Sequence, residues 1–142
     1  MIHEASFRVG ARDTDLFGLC RPSAMMDFLQ EAATSAAVAL HVSREEMLHG
    51  HGVFWMLARI WYHLDVPVYW NEELTVQTWH RGSNHGVSMY RDFDIFRDGT
   101  RIGEGVSLWV LADAETRKLR RVSELSEFVN TSGGDRCKSH ML

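Results

Sequence analysis

A chain of 142 residues with 45% hydrophobic and 24% charged side chains can bury a core without disulfide support, which excludes disorder and fibrous repeats. A formal charge of −4 excludes a general binder of the nucleic-acid backbone, because such domains carry excess positive charge. Cys20 and Cys137 fit reduced thiols in a cytoplasmic protein, and with no leader pattern in MIHEASFRVG and no run of about 18 apolar residues, neither export nor a membrane span is expected.

Residues 2–9 alternate and predict a first strand, and GARDTDLFGLCRP reads as a loop from its density of Gly, Asp and Pro. Asp13 and Asp15 sit in that loop. Acid at a helix start ordinarily satisfies free amides and the helix dipole, but these two lie well ahead of Pro22. Pro22 suits a first helical turn, and Ser23 to Leu40 follows with an apolar stripe of Met25, Leu29, Ala33, Ala36 and Leu40. Small residues in the second half of this helix let a sheet approach it closely. Asp27 and Glu31 fall on its wetter edge.

Ser43 caps a short second helix, REEML, that ends at the glycines of HGHG. The period then changes to two. Phe54, Met56, Ala58, Ile60, Tyr62, Leu64, Val66 and Val68 share one face of a long strand, opposite Arg59, His63 and Asp65. ELTVQTWH predicts another strand, and Asp98-Gly99 between two alternating runs predicts a tight hairpin. A brief closing helix is expected from Ser123, so that residues 1–129 form one domain and 130–142 a tail.

This order is α+β, a five-stranded antiparallel sheet curled around one long helix. Trp55, Trp61 and Trp79 are expected on the outer face of the sheet, which is costly in a monomer and predicts at least a homodimer. Cys20 has no histidine near it in sequence and reads as an inert thiol. His49, His51 and His85 read as loop histidines, with no converging ligand set for a metal. Met25, Met26, Phe28 and Met56 line the helix–sheet space, as core or as walls for an acyl chain.

Four stretches, DTDLFGLCRPSAMMDFLQEAA, WMLARIWYHLDVPVYWNEELTVQTW, YRDFDIF and VSLWVLADAETRKLRRV, resemble in order and spacing the hot-dog fold of acyl-carrier-protein thioesterases, with 4-hydroxybenzoyl-CoA-type thioesterases as more distant relatives. The resemblance covers about Ile2 to Val129. It implies a hot-dog fold, dimerisation through the sheet, and acyl-CoA or acyl-carrier-protein thioesters held at the subunit boundary, without cofactor or metal. By the same resemblance Asp15 falls on the acid that acts as base or nucleophile, and Gly18 on the glycine of that motif.

Oxyanion donors implied by the resemblance are backbone amides at Gly52, Val53 and Phe54, or at the amino end of the helix. Substrate contacts are expected at Phe17, Gly18 and Met25, and at Arg117, Lys118 and Arg120, which suit CoA phosphates or an acidic carrier face. Otherwise this basic run, with Arg121, is a solvated strand end. The Asp-x-Asn-x-His of plant-type enzymes reads Asp15, Phe17 and Leu19 here, and the following Gly-Leu-x-x-Pro-x-Ala resembles their noncatalytic amino-terminal half.

Thioester hydrolysis needs an activated water or nucleophile, oxyanion donors and an acyl trough; a general base contributes roughly 10²–10⁴-fold and one oxyanion donor roughly 10²–10³-fold. Apolar neighbours strengthen a carboxylate as a base, and Leu16, Phe17 and Met25 are the candidates. The sequence thus predicts an acyl thioesterase, homodimeric or a dimer of dimers. Its rivals are a catalytically silent acyl-binding protein and a hydratase, which pairs its acid with a histidine this loop lacks.

Overall fold

In a computed structural model, which describes residues 2–81, 86 and 88–121, one long helix lies across an antiparallel sheet. Strand β1 (His3–Arg8) leads through a short 3-10 turn (Ala11–Asp13) to α1 (Pro22–Ala39) and α2 (Arg44–His51). The strands β2 (Val53–Leu64), β3 (Glu73–His80), β4 (Ser88–Arg97) and β5 (Thr100–Asp113) follow, and β6 (Leu119–Arg120) closes the described chain. Spatial order is β1-β3-β4-β5-β2, and β6 pairs with β5 at Leu111 and Ala112. The expected fold class is formed, with the two-residue β6 added. The helix expected from Ser123 and the tail fall outside the described residues.

Helix α1 buries Met25, Leu29, Ala32 and Ala33 against Val76, Phe93 and Ile95 of the sheet. Two glycines of β5 let the layers meet. A Cβ on Gly105 would stand 3.3 Å from Cδ1 of Leu29, and one on Gly103 would stand 2.5 Å from the carbonyl oxygen of His63 on β2. In α2, Ser43 Oγ accepts from the Glu46 amide and Gly52, at φ 65°, ends the helix. The Asp98-Gly99 hairpin forms as the sequence predicts, with both residues at positive φ.

Strand β2 departs from the single-face expectation. It pairs Leu57 with Trp109 and then Arg59 with Leu108, so Ala58 is an extra residue that reverses the phase of the strand. Before the bulge Val53 and Trp55 pack inward; after it Ile60, Tyr62 and Leu64 do. Met56 is therefore exposed instead of lining the core. The strand also stops at Leu64 and does not run on to Val68, as Pro67 has no N–H for a ladder. Of the three tryptophans expected on the outer face, Trp55 instead packs half-buried against Val42, Met47 and Leu111, while Trp79, opposite Asp92 in register, faces away from α1 but is buried.

Candidate functional site

The loop ahead of α1 is organised by its two aspartates, neither of which caps the helix. Arg21 holds the N-cap position without a capping bond, its guanidinium donating instead to the Arg12 carbonyl, and Pro22 begins the helix. Asp13 Oδ2 accepts the Gly10 amide at 2.8 Å, while its carbonyl accepts from the Arg21 amide at 2.8 Å. Asp15 Oδ1 accepts the amides of Phe17 at 2.8 Å and Leu19 at 3.0 Å, a local turn of the kind short acidic side chains form. Gly18, at φ 76°, closes that turn, and its carbonyl accepts from Trp70 on the segment after β2.

Asp15 is exposed and lines none of the described cavities. Among the described residues of one chain, the apolar surroundings expected for it are absent. Leu16 is 100% exposed and Phe17 88%, whereas Met25 is buried in the core beside Val9 and Leu29 and walls no described cavity. Cys20 is half-buried; burial, then the nearby Asp13 carboxylate, push its thiol up to about 11 against the opposing pull of Arg21.

Gly52, Val53 and Phe54 lie beyond the opposite end of α1, whose 18 residues span about 27 Å. The Gly52 amide is engaged in closing α2 through Leu48, and its carbonyl accepts from Ala114. Gly52 is therefore no open donor, and one chain does not bring Asp15 and these amides together. In the basic run, Arg120 pairs with Asp113 at 2.9 Å, while Arg117 takes a left-handed conformation in the turn before β6. Amides of Thr116 and Glu115 and the Arg120 guanidinium hold the Asp113 carboxyl below its ordinary range.

Between the second half of α1 and the sheet lies a cavity of about 250 Å³. Ala33 and Ala37 form its roof, Trp55, Met89 and Trp109 its apolar walls, and Arg91 its one buried cation. Arg91 Nη1 donates to Thr78 Oγ1 at 3.2 Å, and Trp109 Nε1 donates to Ser107 Oγ at 2.8 Å. Thr78, His80, Arg91 and Ser107 make a buried polar patch that sequence reasoning missed. The signal was present in SMYRDFDIF: Arg91 falls in phase with Met89, Phe93 and Ile95, a charge in the apolar register of a strand.

Comparison with known proteins bears on this architecture. No curated protein matches the sequence. An acyl-ACP thioesterase of Bacteroides thetaiotaomicron superposes on 99% of the chain with a TM-score of 0.86 at 22% identity, and a Lactobacillus plantarum protein described as an oleoyl thioesterase on 90% with 0.77 at 22%. The chain spans 56% and 50% of the lengths of those two proteins. A 1,4-dihydroxy-2-naphthoyl-CoA thioesterase from Synechocystis is matched over 96% of its own length and 92% of this chain, with a TM-score of 0.78 at 14% identity. The family model for the acyl-ACP thioesterase N-terminal domain matches residues 1–130, so the chain belongs to that family, with the hot-dog fold.

Proposed function

We propose that this protein hydrolyses acyl thioesters of acyl carrier protein or CoA as a cytoplasmic homodimer, with Asp15 as the base that activates water. The match of residues 1–130 to the acyl-ACP thioesterase domain carries this reading. The cavity between α1 and the sheet supports it by offering an apolar space for an acyl group. Because Asp15 and the amides of Val53 and Phe54 lie at opposite ends of α1, base and oxyanion donors meet only across two protomers. A partner would also cover Leu16 and Phe17 and supply the apolar walls that a strong carboxylate base requires. Phe17 and Gly18 would then border the thioester, and the exposed Arg117 and Lys118, with Arg120, would face the carrier or CoA phosphates.

The silent acyl-binding reading is favoured by one observation. Both amide bonds to Asp15 Oδ1 come from its own loop, which is sufficient reason for the residue to be there. Asp15→Asn separates the two readings, since an amide oxygen keeps both bonds and only the charge is lost. With acyl-CoA and acyl-carrier-protein substrates followed by thiol release, hydrolysis at Asp15 requires a fall of roughly 10²–10⁴-fold in kcat. Unchanged turnover would make Asp15 a loop residue only, and tight acyl binding without turnover in the wild type would establish the silent reading.

A further inference from the structure

We infer that Arg91 makes the cavity under α1 a receptor for acyl groups that carry a carboxylate at the end remote from the thioester. The inference rests on the reading of this chain as an acyl-thioester protein, and it specifies the substrate class.

Strand β4 turns Met89, Arg91, Phe93 and Ile95 toward α1, so the guanidinium stands where its neighbours in register place apolar side chains. Arg91 is 3% exposed. Burial draws its pKa down only to about 10, so it is charged at neutral pH. The nearest carboxylate, on Asp92, belongs to the opposite face of the sheet, where Arg81 holds both its oxygens at 2.7 and 2.8 Å. Among the described residues the Arg91 side chain makes one hydrogen bond, to Thr78 Oγ1, and no ion pair.

A guanidinium has five N–H donors in a fixed fork, so most of those of Arg91 remain for something else. The group lines both the 250 Å³ cavity and a 30 Å³ space beside it, under Ala36 and Leu40. A buried cation without an anion is unfavourable, and an entering carboxylate offsets that cost with two parallel charge-assisted bonds. Trp55, Met89 and Trp109 provide the apolar walls for the methylene chain or ring that joins this carboxylate to the thioester. Thr34 and Arg44, both exposed, stand at the rim. The volume falls just below the roughly 300–1,000 Å³ of ordinary ligand pockets, which suits an acyl group of about six carbons or one aromatic ring.

The test compares adipoyl-CoA with hexanoyl-CoA in thiol release, and adipate with hexanoate in direct binding followed by calorimetry. Both pairs differ in a terminal carboxylate against a methyl. The wild type is expected to favour the carboxylate member by at least about tenfold in kcat/KM and in affinity, because the site is left with an unpaired cation by the methyl. Arg91→Met should reverse that preference and Arg91→Lys restore part of it. Ala37→Phe, which fills the cavity and leaves Arg91 in place, should abolish adipate binding, and it decides the matter if Arg91→Met does not fold. Adipate binding that depends on Arg91, without turnover of either thioester, would sink the hydrolase reading and keep this one. Turnover of hexanoyl-CoA with no preference for adipoyl-CoA and no adipate binding would overturn this inference and leave the hydrolase reading standing.

Discussion

Two amide hydrogens converge on one oxygen of Asp15, and the buried Arg91 guanidinium faces a cavity with no ion-pair partner among the described residues. The first arrangement was legible in part. Asp-x-x-Gly announces a turn, and Gly18 adopts the positive φ such turns need, but whether the acid also serves chemistry depends on what covers it. The second is legible as a charge in the apolar register of β4, where Arg91 falls in phase with Met89 and Phe93. Cys20 behaves as the sequence suggests for an unactivated thiol: burial and Asp13 raise its pKa to about 11 from 9.0. Its proton is held more tightly in the folded chain, so the associated stability is complete below pH 9.0 and is lost as pH rises toward 11. In a Cys137→Ser background, iodoacetamide at pH 8 should alkylate native Cys20 about a hundredfold more slowly than a free thiol, and equal rates would contradict the assignment.

At the scale of elements, the helices, the hairpin and the sheet follow from patterns that short stretches carry by themselves. The 3.6-residue stripe of α1, the Ser43 cap with the Gly52 stop, and Asp98-Gly99 each fix local geometry. The bulge at Ala58 was not legible, because alternation in VFWMLARIWYHL runs unbroken in the sequence. The phase reversal arises from pairing with β5, a strand distant in sequence whose Trp109 and Leu108 lie opposite the bulge. Close approach of β2 and β5 depends on Gly103, whose added Cβ would meet the backbone at His63. Gly103→Ala should therefore destabilise the fold by about 1–3 kcal/mol in urea unfolding, since backbone cannot yield as a side chain does. No loss of stability would show that the two strands separate at little cost.

For the molecule as a whole, the unresolved question in the sequence was what lies against its surface. The case for a dimer from three outer tryptophans changes, because Trp55 packs half-buried beside Val42 and Met47 and Trp79 is buried. A different ground replaces it. Strand β2, 12 residues long, pairs with β5 alone among the described residues, and an edge strand of that length suits pairing with a second copy. Sedimentation equilibrium should give about twice the 16.3 kDa of the chain, and a monomer at micromolar concentration would remove the two-protomer site.

The most direct test is a crystal structure with a nonhydrolysable thioether analogue of an acyl-CoA. The account requires the acyl group between α1 and the sheet, with the sulfur of the thioether close to Asp15 of one protomer and to the β2 amides of the other. An acyl group bound elsewhere, or a sulfur remote from every Asp15, would contradict it.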